Sequence, residues 1–295
     1  MQRFNVKDAI AQGLIASVVG GGLALLVGFN PALPAWAPAL PAALGLAWFG
    51  LRMRRSLRRL RAGDEPSAAV RSCLEEQVHF YQRLDEAERA RFRREVHWFL
   101  LDQHIEGVNV EVTDELRALV AASAVVLSFG LPWYEWEATR DILLYPSAYD
   151  ETYNQGKGGT RLGQVSRQGP VILSVPALKA GFAKGNDGHN VGFHEFAHVL
   201  DFDDGEIDGV PAHLSWPSNR PWVDQMAAHF ARRKGGQRRR EQVLRDYAFT
   251  NEAEFFACAT EVFFEQPALL ARRAPQLYDL LSEFYGRAPS PEEAR

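Results

Sequence analysis

Val191-Gly192-Phe193-His194-Glu195-Phe196-Ala197-His198-Val199-Leu200-Asp201 is the stretch whose reading decides the fold. It carries H-E-x-x-H in a helical pattern, so His194 and His198, four positions apart, project from one face. Two imidazoles on successive turns suit a zinc ion, and Glu195 leans beside such an ion, where it can take a proton from water. Phe193, Phe196, Ala197, Val199 and Leu200 make the other faces apolar and fit for burial. The plainer alternative is a core helix with two hydrogen-bonded histidines and a surface glutamate. With only 8 histidines in 295 residues a chance match to the motif is rare, which favours the metal. A catalytic zinc takes three protein ligands, so the chain must supply one more donor.

Spacing leaves that donor open among Asp201, Asp203, Asp204, His189, His213, Glu252, Glu254 and Glu261. Asp201 lies three residues past His198, too far along the face to reach the same ion, and is expected to orient a ligand imidazole from behind. His189 and His213 fall in Gly-rich or Pro-rich loops, where solvent exposure is the default. The segment from Asn251 reads as a second amphipathic helix, buried through Phe255, Phe256, Ala259, Val262 and Phe263. Glu254, Ala257, Cys258 and Glu261 form its neighbouring stripe, with two carboxylates that need partners if buried. Glu254 is the first choice among them, although Asn251-x-x-Glu254 also fits a capping box in which Glu254 only bonds backbone. Glu261, two turns on, can reach a position behind a ligand but not the same ion.

The remaining elements make a mostly helical α+β domain. Asn190 can cap the motif helix. Asp85-x-x-Glu88 is a capping box, and Thr113 caps a helix through about Ser128. Val108, Val110 and Val112 alternate as a short strand; Ile142 to Tyr145 and Val171 to Val175 are further strands, the last paired with Arg161 to Ser166. Pro221 and Pro267 open later helices, ending near Gly286.

At the start of the chain, Ala9 to Phe29 is uncharged, and about 21 residues at 1.5 Å each cover roughly the 30 Å of a bilayer core. A second apolar run, about Pro31 to Leu51, is broken by four prolines and followed by Arg52, Arg54, Arg55, Arg58, Arg59 and Arg61. The charge distribution predicts a transmembrane helical hairpin with both ends in the cytoplasm; a cleaved signal peptide and a buried hairpin are the competing readings. The expected organisation is therefore a membrane anchor over 1–61 contacting lipid through residues 9–61, a linker over 62–69, and a catalytic domain over 70–295. That puts the protein at the bacterial inner membrane, facing the cytoplasm. A net charge of -4 gives no general pull towards nucleic acid. Two cysteines far apart, Cys73 and Cys258, indicate neither a disulfide framework nor a cysteine metal site.

The run Phe193 to Asp201, with Tyr247-Ala-Phe-Thr-Asn-Glu-Ala-Glu254-Phe-Phe-Ala and Glu261-Val-Phe-Phe264 far downstream, resembles the Mlc titration factor A family of zinc metallopeptidases. Asp141-Ile-Leu-Leu-Tyr-Pro146 and Gln168-Gly-Pro-Val-Ile-Leu173 extend the resemblance to about residues 70–285. It implies a zincin-like fold and one Zn2+ per chain held by His194, His198 and Glu254, with Glu195 catalytic. It also implies that Tyr247 stabilises the oxyanion. The activity implied is aminopeptidase-type hydrolysis of small peptides, with binding of the repressor Mlc in some members. Residues 1–61 match nothing in the soluble members. A peptide or protein substrate is the expected partner; the rival class is a membrane-tethered binding module that sequesters a transcriptional regulator.

Overall fold

A computed structural model describes residues 61–131, 134–136, 141–147, 163–164, 169–202, 207–211, 219–235, 242–287 and 289, with isolated positions before residue 61. The chain divides into two compact units, Met1–Asp64 and Glu65–Arg295. The second unit begins with helices α1 (Ala68–Gln77), α2 (His79–Gln82) and α3 (Glu86–Asp102), numbered over the described residues. Strand β1 (His104–Gly107), helix α4 (Asp114–Ser128), and strands β2 (Asp141–Tyr145), β3 (Gly163–Gln164) and β4 (Val171–Ser174) come next. Helices α5 (Val175–Lys184), α6 (Val191–Asp201), α7 (Arg220–Lys234), α8 (Glu252–Glu265), α9 (Pro267–Arg273) and α10 (Pro275–Tyr285) complete it, with a 3-10 turn at Asp246–Phe249 before α8. The result is a mostly helical α+β fold with one small sheet.

Local chemistry accounts for the helix starts. Both halves of the Asp85/Glu88 capping box form, Thr113 accepts from Leu116 N, and Ser67 accepts from Val70 N at the head of α1. Helix α5 starts directly after the strand ends at Ser174, with Pro176 in its first turn, so Val175 belongs to a helix and not to the strand expected for it.

The sheet runs β1-β2-β4-β3, with β1, β2 and β4 parallel and β3 antiparallel to β4. Ile142 and Leu144 face the helical core, whereas Leu143 and Ile172, paired in register, join Val108 and Tyr145 in a small cluster on the other face. The expected strand at Val108, Val110 and Val112 is displaced. Strand β1 ends at Gly107, just before the expected start, and the chain turns at Asn109, whose φ is 58°. Val110 and Val112 then pack on the core from an irregular segment, so an alternation of valines arose without pleated pairing.

Helix α6 runs through the centre. Every residue from Gly192 to Asp201 is buried. Phe196 meets Trp136 at 5.1 Å and Phe99 at 5.8 Å, both edge-on, and burying such a ring is worth about 1.5–3 kcal/mol. A side chain at Gly192 would overlap the Ser123 hydroxyl, so glycine there lets α4 approach α6 closely.

The expected membrane location is overturned. Among the described residues no helix is long and apolar enough to cross a membrane. The longest, α3, has 17 residues and is laced with charge, and apolar α4 has 15, about 22 Å of rise against the roughly 30 Å required. The hairpin expected within 1–61 falls almost wholly outside the described residues, and lipid is withdrawn as a partner.

Candidate metal centre

The Asn190 side chain accepts from Phe193 N at 3.1 Å and starts α6. From its second turn His194 and His198 project together, 6% and 8% exposed, with ring centroids 4.8 Å apart and planes nearly perpendicular. Helix α8 packs across α6 and begins at Asn251, whose side chain accepts from Glu254 N at 2.9 Å. That is half of a capping box. The Glu254 carboxylate turns instead to the histidines: Oε2 stands 2.9 Å from His194 Nε2 and 3.6 Å from His198 Nε2. The two Nε2 atoms are 3.3 Å apart.

These three atoms form a triangle, and its edges bear on what could sit inside it. Ligand atoms about 2.0–2.1 Å from a tetrahedral zinc lie about 3.3 Å from one another. The measured edges bracket that value. Glu254 Oε2 is buried and, despite the 2.9 Å separation, has no hydrogen-bond partner among the described residues. Two imidazole nitrogens and a carboxylate oxygen converging on one point at these separations are what a cation site requires, so the donor set fits zinc. Burial raises the Glu254 carboxyl, but His194 and His198 outweigh it and hold the group well below the carboxylate range.

Behind the triangle stands Glu261, 1% exposed. Its Oε1 lies 2.7 Å from His194 Nδ1, and its Oε2 accepts from Asn190 N at 2.7 Å. Burial opposes its ionisation; His194 and Arg245 reverse that and keep the carboxyl below its ordinary value. Glu195 is buried at 4% exposure beside His194. Asp201 lies at the far end of α6, where its Oδ2 accepts from Gly209 N at 2.9 Å. Gly209 in turn accepts from Trp222 Nε1 at 2.7 Å and, with φ of 74°, lies so close to the Glu252 carbonyl that a side chain would collide. Asp201 thus ties the end of α6 to the start of α8, near Glu254.

Tyr247 sits on the 3-10 turn, half exposed, its ring 6.0 Å from that of His194. Burial first, then the Glu254 carboxylate, raise its phenol above the ordinary tyrosine value, so it stays protonated. Among the other sequence candidates, Glu252 is exposed at the first position of α8, and Asp203, Asp204 and His213 lie outside the described residues. Sequence reasoning missed Arg245 and Glu265, and weighed His189 only as a ligand of the metal. Arg245 forks onto Glu261, His189 accepts from Arg245, and Glu265 accepts from Gly188 N and His189 N, each at 3.0 Å. Only the spacing of Glu265, a further turn along the Glu254 stripe, offered a signal.

Comparison with known proteins identifies the family. The chain is similar to Mlc titration factor A of Edwardsiella ictaluri, 31% identical over 199 residues covering 63% of this chain and 74% of the relative. Mlc titration factor A of Salmonella arizonae is 26% identical over 208 residues, 63% and 77% respectively. An uncharacterized protein of Synechocystis sp., slr2042, is 31% identical over 233 residues, 73% and 82%. Residues 51–286 match one family along their length, and the chain belongs to the glucose-regulated metallo-peptidases M90.

Proposed function

We propose that the protein is a zinc-dependent peptidase that cleaves peptide bonds with water, acting on small peptides in the manner of an aminopeptidase. The observation that carries this is the converging triangle of His194 Nε2, His198 Nε2 and Glu254 Oε2, with the buried Glu195 next to His194 in the chain. A site that only stabilised the fold would have no use for an extra carboxylate at that position.

His194, His198 and Glu254 would hold one zinc ion, which when bound supplies Lewis acidity towards water and a carbonyl oxygen. Glu195 accepts a proton from the attacking water and returns it to the leaving amine. Tyr247, protonated and adjacent to His194, donates its phenolic hydrogen to the carbonyl oxygen as that oxygen gains charge. Glu261 keeps the His194 ring in place by accepting from Nδ1, which leaves Nε2 as the donor atom.

Purified protein assayed for metal content and peptide hydrolysis, with and without chelator, tests the reading. Glu195→Gln should keep the metal and lose on the order of a hundredfold or more in rate. Equal turnover by the variant would remove the enzyme assignment. The second reading comes from the relatives' name, Mlc titration factor A: the same domain binds an Mlc-like transcriptional regulator, and Glu195→Gln would leave that binding intact.

A further inference from the structure

Glu261 is the most densely bonded carboxylate of the site. Besides Asn190 N and His194 Nδ1 it receives Arg245 Nη2 on Oε1 at 2.7 Å and Arg245 Nη1 on Oε2 at 2.9 Å, a side-by-side fork. A charge this buried persists only when hydrogen-bonded and compensated, and Arg245, only a quarter exposed, is the cation that does it. The guanidinium has a further fixed point. Its Nη1 is 2.7 Å from His189 Nδ1, and because arginine has no acceptor, His189 Nδ1 must be the lone-pair side of its ring. Two residues on, Tyr247 lies with its ring 5.6 Å from the Arg245 guanidinium carbon.

We infer that Arg245 is a positioning residue of the metal centre, locking His194 through Glu261 and setting the turn that presents Tyr247. The inference rests on the metallopeptidase reading of the site. Glu261 can hold His194 Nδ1 only while its own oxygens are pinned, and the Arg245 fork pins both at once. A lysine ammonium, a single point charge, could reach one oxygen but not span both and His189. Arg245 Nη2 also lies 3.4 Å from His194 Nδ1, but neither Arg245 nor His189 reaches the three donor atoms, so their effect on the triangle passes through Glu261 and the back of the His194 ring.

The test uses the full chain with Arg245→Gln and Arg245→Lys, measuring zinc affinity by competition with a chromophoric chelator, thermal melting, and kcat and KM on a peptide. The folded Arg245→Gln protein should bind zinc 10–100-fold more weakly, the range for losing an outer partner of a ligand, and lose kcat more than it gains KM. Arg245→Lys should recover only part of both. Wild-type zinc affinity in folded Arg245→Gln, with only a lower melting temperature, would reduce Arg245 to a stabilising ion pair and overturn the inference. Full recovery by lysine would overturn it too, since charge without the fork would suffice. If Arg245→Gln does not fold, Arg245→Lys carries the test: wild-type affinity there defeats the inference, and weakened affinity supports it. Glu254→Ala separates the two levels. Zinc bound as tightly by Glu254→Ala as by wild type would sink the metal reading and the inference together, whereas wild-type affinity in the Arg245 variants sinks the inference alone.

Discussion

Helices α4 and α8 both pack on α6 and are buried to a similar degree, yet only one of them carries chemistry. In α4 the buried polar groups are Ser123 and Ser128, whose hydroxyls donate back to carbonyls of their own helix at Leu119 and Ala124, with Ser128 Oγ also accepting from Trp136 Nε1 nearby in the chain. In α8 a stripe of Glu254, Cys258, Glu261 and Glu265 recurs at helical spacing, and its carboxylates bond outside the helix. Glu254 faces the histidines, Glu261 takes Asn190, His194 and Arg245, and Glu265 takes the backbone before α6. Neutral hydroxyls whose hydrogens return to their own helix constrain its packing little. Polar atoms satisfied across elements admit one arrangement.

The contrast breaks most sharply at Glu254. Glu254→Ala should lower zinc affinity by more than the roughly 10–100-fold that losing an outer partner costs, while the melting temperature changes little. Unchanged zinc content after dialysis would end the distinction between the two helices at this position.

On α4 the effect should be the reverse. Leu119, fully buried, should cost about 2–5 kcal/mol when cut to alanine, measured by urea unfolding, with the zinc affinity of the folded protein unaltered. Loss of zinc from folded Leu119→Ala would mean that α4 also sets the site.

Glu265 sharpens the comparison through pH. Burial raises its carboxyl from 4.5 to about 7; the hydrogen bonds from Asn190 and the His189 backbone oppose this, and the charges of Asp187 and Glu261 add to it. A raised folded value means the fold binds the proton more tightly than the unfolded chain. Its contribution is therefore complete below pH 4.5, is lost as pH rises to about 7, and is flat above. The loss across that window should reach at most about 3 kcal/mol. Glu265→Gln should remove this slope, so the stability difference between wild type and variant must change with pH; a constant difference would refute it.

The smallest effect belongs to the cap. Asn251→Ala should cost about 1 kcal/mol and leave zinc in place, because the cap bond starts the helix without touching the donors. Release of zinc by this variant would show that the helix start and the Glu254 carboxylate are one unit.

Short-range physics was legible. The capping box at Asp85, the caps at Thr113 and Asn190, the strand at Ile142 and the hairpin partner of Val171 could be read because each depends on residues a few positions apart. The valines at 108, 110 and 112 misled because alternation also arises when a chain turns at Asn109 and drops side chains into a core from an irregular path. The uncharged start lies outside the described residues, and the location read from it was overturned because no described helix is long and apolar enough to cross a membrane.

The sequence by itself determined that His194 and His198 share one face of one helix with Glu195 on the adjoining face, since four residues of α-helix fix that relation wherever the helix lies. Spacing made Glu254 the first choice over Glu252 and Glu261 without deciding it, because all three sit on a helix more than fifty residues away whose orientation it does not fix; resemblance decided for Glu254. Only the tertiary structure decided how α8 crosses α6, which brings Glu254 Oε2 within 2.9 Å of His194 Nε2 and gives Glu261 the opposite side of the same ring. Arg245, His189 and Glu265 entered the site for the same reason. Their partners are distant in the chain, and contacts of that kind exist only once the packing of buried faces has fixed the distances between helices.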